Sequence, residues 1–287
     1  MKIDFFCPRW GLESVDWVEF ARKIKGDNFD GVEVFPLDQE RQNGKMVDVL
    51  NDNGLDYILL HDELKESGST FKRYIDALER NLYLLVEYQN HQIKPKYIVS
   101  QTGREYFSME EMQRCFEICD RIAQESGIQI LQETHRNKWS YAAHIVKQYL
   151  IKFPSLRLAL DLSHWICVSE SFLEDQHDAV ELAIKHTDHI HARVGHTQGP
   201  QVTDPRTEEN KEALEHHLAW WDRWIAQLIQ KGKYSTTITP EFGPYPYMAY
   251  IPNSRKPVAE QYEINVWMMQ MLKNRYNTLK TTTNENF

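Results

Sequence analysis

The chain has few cysteines, no long apolar run, no surplus of basic charge and no glycine-rich phosphate loop. Each lack removes a class of protein. Its four cysteines, Cys7, Cys115, Cys119 and Cys167, include no CxxC pair and no secreted-type framework. Reduced thiols and a cytoplasmic location are therefore expected. Cys115 and Cys119 lie one helical turn apart, the spacing of a packed helix face. No basic segment followed by a long apolar one precedes the first strand-like run, IDFFC. Neither a signal peptide nor a membrane span is expected. A formal net charge of -9 disfavours nucleic acid and anionic membranes as partners. The residues after the first strand-like run, CPRWG, lack the glycine pattern that opens many doubly wound sheets. There is no short repeat and no interdomain linker.

What is present is alternation. Eight short apolar or β-branched runs, residues 3–7, 31–35, 57–61, 97–100, 128–133, 156–161, 189–194 and 236–241, read as strands. Helical periodicity fills the gaps between them. Trp17, Phe20, Ala21 and Ile24 fall at the spacing of one helix face, with Gly26 at the end. Ser108 and Glu111 form a capping box ahead of the stripe Met112, Cys115, Phe116 and Cys119, which stops at Gly127. Residues 71–88 and 208–230 read as helix throughout. Eight βα units in 287 residues predict an α/β fold, a single-domain (β/α)8 TIM barrel, over residues 1–276. Residues 277–287 are polar and rich in Thr and Asn, and read as a frayed C-terminal tail. Two loops, 195–210 and 243–257, are longer than barrel connections require. Both belong to the C-terminal face, where barrel sites form, and serve as candidate walls or lids.

Four ligand-type side chains close four successive strand-like runs. Glu133 ends IQILQE, Asp161 ends LRLALD, His191 lies in HIHARV, and Glu241 ends TTITPE. Alternation puts His189, His191 and Arg193 on one face of the seventh strand and Ile190, Ala192 and Val194 on the other. The same logic turns Glu133 and His135, and Thr237, Thr239 and Glu241, inward. Acidic groups beside buried apolar strands are costly unless something pairs with them. Converging carboxylates need a cation, so one divalent metal ion held by Glu133, Asp161, His191 and Glu241 is expected. Three carboxylates and an imidazole make a hard site, suited first to Mn2+, with Mg2+, Co2+ and Zn2+ as alternatives.

Taken in order, QETHR, DLSHW, HIHAR and TPEFGP resemble the xylose-isomerase-like TIM barrel superfamily. That group holds sugar isomerases, epimerases and related dehydratases, with the endonuclease IV type as a distant branch. The resemblance covers roughly residues 1–270; it is specific for fold and metal site and unspecific for substrate. In the epimerase branch a Glu, an Asp, a His and a Glu hold the metal, matching Glu133, Asp161, His191 and Glu241. The branch's Asp-x-x-His matches Asp161 and His164, and implies that His164 contacts a substrate oxygen. A basic residue soon after the metal His contacts substrate in several members, and Arg193 is its nearest match. The Glu-x-His of Glu133 and His135 also resembles the dehydroshikimate dehydratase branch, which usually carries a Lys where this chain has Arg193.

The implied activity is isomerisation or epimerisation of a sugar through a metal-stabilised enediolate. A carbonyl and a neighbouring hydroxyl would chelate the ion, and Glu133 and Glu241 would exchange the proton as catalytic acid and base. A dehydratase acting on a polyol or cyclohexene acid is the nearest rival. Metal-dependent endonuclease action fits less well: strand four ends in Ser100–Gln101–Thr102 rather than a His, and His189 stands where that branch has an Asp. A sugar or sugar acid is the expected partner, with the free form favoured because no phosphate cradle is evident. The oligomeric state stays open, a homo-oligomer included. Further candidates for substrate contact are Trp10 and Trp165, just beyond strand ends and able to stack on a sugar ring, and His135. Each has a structural alternative: rim packing for the tryptophans, and for His135 either packing or a hydrogen bond that orients a neighbouring ligand. His189, Glu33 and His61 are weaker candidates.

Overall fold

The structure, a computed structural model, describes residues 1–36, 46–62, 70–90 and 92–284. Eight parallel strands close into a barrel in sequence order. They are β1 (Lys2–Pro8), β2 (Gly31–Val34), β3 (Asp56–Asp62), β4 (Ile98–Gln101), β5 (Ile130–Glu133), β6 (Leu158–Leu160), β7 (Thr187–His191) and β8 (Ser235–Thr239). The helices among the described residues are α1 (Trp17–Gly26), α2 (Met46–Asn53), α3 (Phe71–Val86), α4 (Met109–Ser126), α5 (Ala143–Lys152), α6 (Leu162–Ser169), α7 (His177–Lys185), α8 (Lys211–Gln230) and α9 (Gln261–Asn284). The chain is one α/β domain, as the alternation predicts.

Strand alternation divides the core in two. Outward-facing Phe5, Val32, Leu59, Ile98, Leu158, Leu160, Ile190 and Ile238 join the helices in one continuous apolar layer. Inward-facing Phe6, Ile58, Leu60, Val99, Leu131 and Ala159 form a second, smaller cluster inside the barrel. Above that apolar floor the inward positions turn polar: Glu33, Glu133, His189 and His191 are buried. Burying a large apolar side chain contributes about 1.5–3 kcal/mol. The floor can therefore offset a costly polar layer above it.

The helix signals hold at the level of single bonds. Ser108 accepts from the Glu111 amide at 3.2 Å, and Glu111 accepts from the Ser108 amide at 2.9 Å. Gly127 ends α4 in the left-handed region at φ 67°. Strand ends differ more. β7 stops at His191 and β8 at Thr239, short of the expected 194 and 241. Pro240 has no N–H to continue the ladder, and the last bond at this rim runs from the Ala192 amide to the Thr239 carbonyl at 2.7 Å. The expected helix over 208–230 opens with a 3-10 turn, Glu208–Asn210, before α8. The polar segment 277–287 is helical as far as Asn284 rather than frayed; residues 285–287 lie outside the described ones.

The two long loops are clasped together at the C-terminal face. The Gln201 side chain accepts from the Gly243 amide at 2.8 Å and donates to its carbonyl at 3.2 Å. A Cβ on Gly243 would sit 2.1 Å from the Trp10 ring, so glycine here lets the β1 loop and the β8 loop close on each other.

Candidate metal and substrate site

Glu133, Asp161, His191 and Glu241 converge at this rim, each offering a ligand atom within 4.8 Å of the others. Their elements place them. Glu133 is the last residue of β5 and Asp161 the N-cap of α6; His191 is the last residue of β7, and Glu241 follows Pro240 beyond β8. Asp161 is fixed from three sides. One carboxylate oxygen accepts from the Ser163 amide at 2.8 Å, its backbone amide donates to the Thr134 hydroxyl at 2.7 Å, and that hydroxyl donates to its carbonyl at 2.9 Å. Glu133 is steered by Gln101, whose side-chain amide donates to Oε2 at 3.0 Å.

The inner atoms lack partners. Glu133 Oε1, Glu241 Oε2 and His191 Nδ1 are buried and make no hydrogen bond. His191 Nδ1 lies 3.1 Å from Glu241 Oε2 and 3.6 Å from Glu133 Oε1. Two carboxylates roughly 4 Å apart repel by about 4 kcal/mol at an effective dielectric near 20. That is large beside a typical net stability of about 5–15 kcal/mol. The protein's own cations relieve only part of it. Burial lowers the His191 pKa, but Glu241, Glu33 and Glu133 outweigh that and raise it well above the ordinary range. Burial pushes the Glu133 carboxyl up to about 7, with Glu241 and Asp161 adding to the rise and His191 opposing it. Burial likewise raises Asp161, against the pull of Arg193. Orphaned oxygens and one imidazole nitrogen converging on one point are the donor set of a hard divalent cation, so the residues fit one.

Behind His191 stands a residue that sequence reasoning ranked as weak. Glu33 Oε1 is 3.1 Å from His191 Nε2 and 3.4 Å from His189 Nε2, with all three side chains fully buried. His189 Nδ1 is 2.7 Å from the Thr237 hydroxyl. A carboxylate on the far nitrogen of a ligand imidazole sets its tautomer and ring orientation. Glu33, His189 and His191 form a second acidic-imidazole cluster, but Glu33 there faces the side of His191 turned away from Glu133 and Glu241. The available signal was alternation in GVEVF, which turns Glu33 inward between Val32 and Val34. His61 lies on the opposite face of β3 from inward-facing Ile58 and Leu60, with Nδ1 2.9 Å from the Ser100 hydroxyl.

A cavity of about 560 Å³ opens over the cluster, bordered by Glu133, Glu241, Arg193, His135, Trp10 and Tyr247 among others. Small-molecule sites commonly span roughly 300–1,000 Å³. Trp10 and Tyr247 meet edge to face with ring centroids 5.0 Å apart and form one wall. Tyr247, from the long loop after β8, was not singled out in the sequence, although that loop was.

Of three expected substrate contacts, Trp165 lies away from the cavity, Arg193 borders it and His164 lies beside Asp161. Trp165 is fully buried in the apolar layer, its indole donating to the Ser140 carbonyl at 2.7 Å. It is a packing residue and does not border the cavity, because α6 turns it away from the barrel mouth. Arg193 borders the cavity but is engaged by protein: its guanidinium contacts the Asp161 carboxylate, donates to the Ser163 hydroxyl at 3.2 Å and lies 3.5 Å from Glu241. His164 is fully buried beside Asp161, Nε2 to Oδ2 3.6 Å. Its pKa is held well below the ordinary value by burial first and then by His135, Arg193 and Arg136. His135 does border the cavity, its ring 3.9 Å from that of His164.

This barrel and rim have the fold of xylose-isomerase-like TIM barrel proteins. Among solved structures the chain is similar to the probable 3-DHS dehydratase of petrobactin synthesis from Bacillus anthracis, at 18% identity and TM-score 0.58, over 96% of this chain and 100% of that one. It is similar also to 3-keto-D-glucoside 4-epimerase from E. coli, at 13% identity and TM-score 0.60, over 95% and 100%. A magnesium complex of a xylose isomerase-like TIM barrel protein from Mycobacterium smegmatis matches at 12% identity and TM-score 0.57, over 92% and 96%. Neither a protein-family model nor a curated protein matches the sequence.

Proposed function

We propose that the chain is a divalent-metal-dependent enzyme that isomerises or epimerises a sugar or sugar acid. One observation carries the reading: the inner atoms of Glu133, His191 and Glu241, which make no hydrogen bond, converge with Asp161, and Glu133 and Glu241 border a cavity large enough for a monosaccharide. Glu133, Asp161, His191 and Glu241 would hold the ion, Mn2+ first among the candidates. When bound, the ion supplies Lewis acidity that weakens a C–H bond beside a carbonyl.

The protein's own groups do the rest. Glu133 and Glu241 reach the cavity from opposite ends of the arc β5 to β8, so one can take a proton and the other return one. Gln101 holds one Glu133 oxygen and leaves the other facing the reaction. Arg193 neutralises Asp161, and Trp10 and Tyr247 exclude water from one side. The partner in this reading is a small molecule in the cytoplasm. Among the described residues no helix is long and apolar enough to cross a membrane.

Metal content tests the reading. Protein purified without chelator should carry close to one equivalent of divalent ion by elemental analysis, and Mn2+ should raise its melting temperature after stripping. A chain that folds, melts and turns over identically with and without metal would end the proposal.

A further inference from the structure

Among the described residues, one cation at the cavity has no counter-charge. Arg136, in the loop after β5, borders the cavity and is only half-buried. Its guanidinium carbon lies 4.9 Å from the centre of the Tyr247 ring, which carries Arg193 at 4.8 Å as well. Among the described residues Arg136 donates toward one group, His164 Nδ1 at 3.0 Å. Among the described residues no carboxylate lies within ion-pair distance of it. The acids that share the cavity are engaged elsewhere: Asp62 pairs with Lys138, Glu13 accepts from the Gly11 amide at 2.9 Å, and Glu133 and Glu241 face His191.

The His164 contact cannot satisfy it. Arg193 approaches His164 Nε2 at 2.8 Å while Arg136 approaches Nδ1 at 3.0 Å. A neutral imidazole has one acceptor nitrogen, and both neighbours are pure donors. One guanidinium therefore faces an N–H. Arg193 has Asp161 and Ser163 whichever way the imidazole is protonated. Among the described residues Arg136 has no such reserve, and its guanidinium borders the cavity. Guanidinium forks match the paired oxygens of oxyanions, carboxylate and phosphate above all.

We propose that Arg136 is the anchor for an anionic group on the substrate, so that the ligand of this site is a sugar bearing a carboxylate or a phosphate at the end remote from the reacting carbonyl. The inference rests on the cavity being the substrate site, as in the proposed function, and goes beyond it by assigning charge to the substrate. A neutral sugar would leave Arg136 with hydroxyls only, while Tyr247 supports the guanidinium from behind and limits its motion. The two sources of negative charge share this chemistry and differ in size and valence.

Calorimetric titration of the Mg2+-loaded full chain with unreactive ligands tests the assignment without relying on turnover. The ligands are sorbitol, gluconate and sorbitol 6-phosphate. The wild type should bind one of the anions at least roughly tenfold more tightly than sorbitol, in the range of a hydrogen bond to a charged group. Whichever anion is tighter identifies the group. Arg136→Met should bring that ratio close to one, and Arg136→Lys should restore part of it. Equal affinities in the wild type overturn the inference. So does an anion preference that survives Arg136→Met, because the charge is then held by the metal or Arg193. A matching thermal melt for the variants excludes misfolding. If the anion preference holds and follows Arg136, but no sugar is turned over, the isomerase reading fails and the anion site stands.

Discussion

Glu33 Oε1 lies 3.1 Å from His191 Nε2, so the imidazole that faces Glu133 and Glu241 through one nitrogen is held from behind by another buried acid through the other. This relationship keeps the Nδ1 lone pair pointed into the site once a cation displaces its proton. It gives Glu33 a positioning role without contact with the substrate. Removing such a partner typically costs about 10- to 100-fold in metal affinity. Glu33→Gln, which keeps the shape, should fall at the weak end of that range, and Glu33→Ala near the strong end. Titration of stripped protein with Mn2+ reads the effect directly. Wild-type affinity in both variants would remove Glu33 from the metal site.

Glu133 and Glu241 are expected to be needed for chemistry more than for folding. Glu133→Gln and Glu241→Gln should each lower kcat by at least about 100-fold, the low end for general acid–base catalysis. Because each residue also offers a ligand atom, activity must be measured at saturating metal. A near-normal kcat for Glu241→Gln would take it out of proton transfer.

The two tryptophans proposed for sugar stacking should separate cleanly. Trp10 borders the cavity and Trp165 does not. Trp10→Ala should raise KM with a modest effect on melting. Trp165→Phe should leave KM unchanged and destabilise by roughly 1–3 kcal/mol, from a lost hydrogen bond and a small void. Thermal melts and steady-state kinetics on both variants distinguish the two roles.

His217 offers a pH signature away from the site. It is fully buried on α8, its Nδ1 donating to the Ala213 carbonyl at 2.8 Å and its Nε2 accepting from the Gly195 amide at 3.2 Å. Burial lowers its pKa to about 4. An unfolded chain would protonate this group from about pH 6.5 downward, while the folded one resists until about 4. The unfolded state therefore binds more protons in that window, and stability falls as pH falls from about 6.5 to 4. The contribution is about 3 kcal/mol. His135, His164 and His189 are lowered also, and act in the same direction. Chemical denaturation of His217→Gln across this range should give a shallower pH slope than the wild type. An unchanged slope would show that His217 protonates as easily folded as unfolded.

The barrel was legible because short strand runs and helical stripes alternate without interruption, and each apolar periodicity has one way to be buried. The four converging ligands were legible for a related reason: strand ends in a barrel meet at one rim, so sequence position already implied proximity. What the sequence did not show was direction beyond the strands. Trp165 and His164 follow Asp161 closely, yet the N-cap of α6 turns Trp165 into the apolar layer and His164 against Asp161. Arg193 was expected to hold substrate from the resemblance, with alternation turning its side chain inward. In the fold the Asp161 carboxylate is close enough to hold it first. Glu33 and Arg136 were missed or ranked low because their significance lies in what stands opposite them, 158 residues away for the Glu33–His191 pair. No local pattern records that.

The central claim is proton transfer beside a carbonyl at the Glu133–Asp161–His191–Glu241 cluster. Incubating Mn2+-loaded protein in D2O with ketoses, keto sugar acids, their phosphates and dehydroshikimate, followed by mass spectrometry, tests it most directly. The account predicts deuterium at one carbon of a sugar substrate, in a product of otherwise unchanged mass, at an equilibrium ratio not far from unity. It also predicts loss of that exchange in Glu133→Gln. Loss of water from any of these compounds faster than its isomerisation would contradict the account and make the protein a dehydratase.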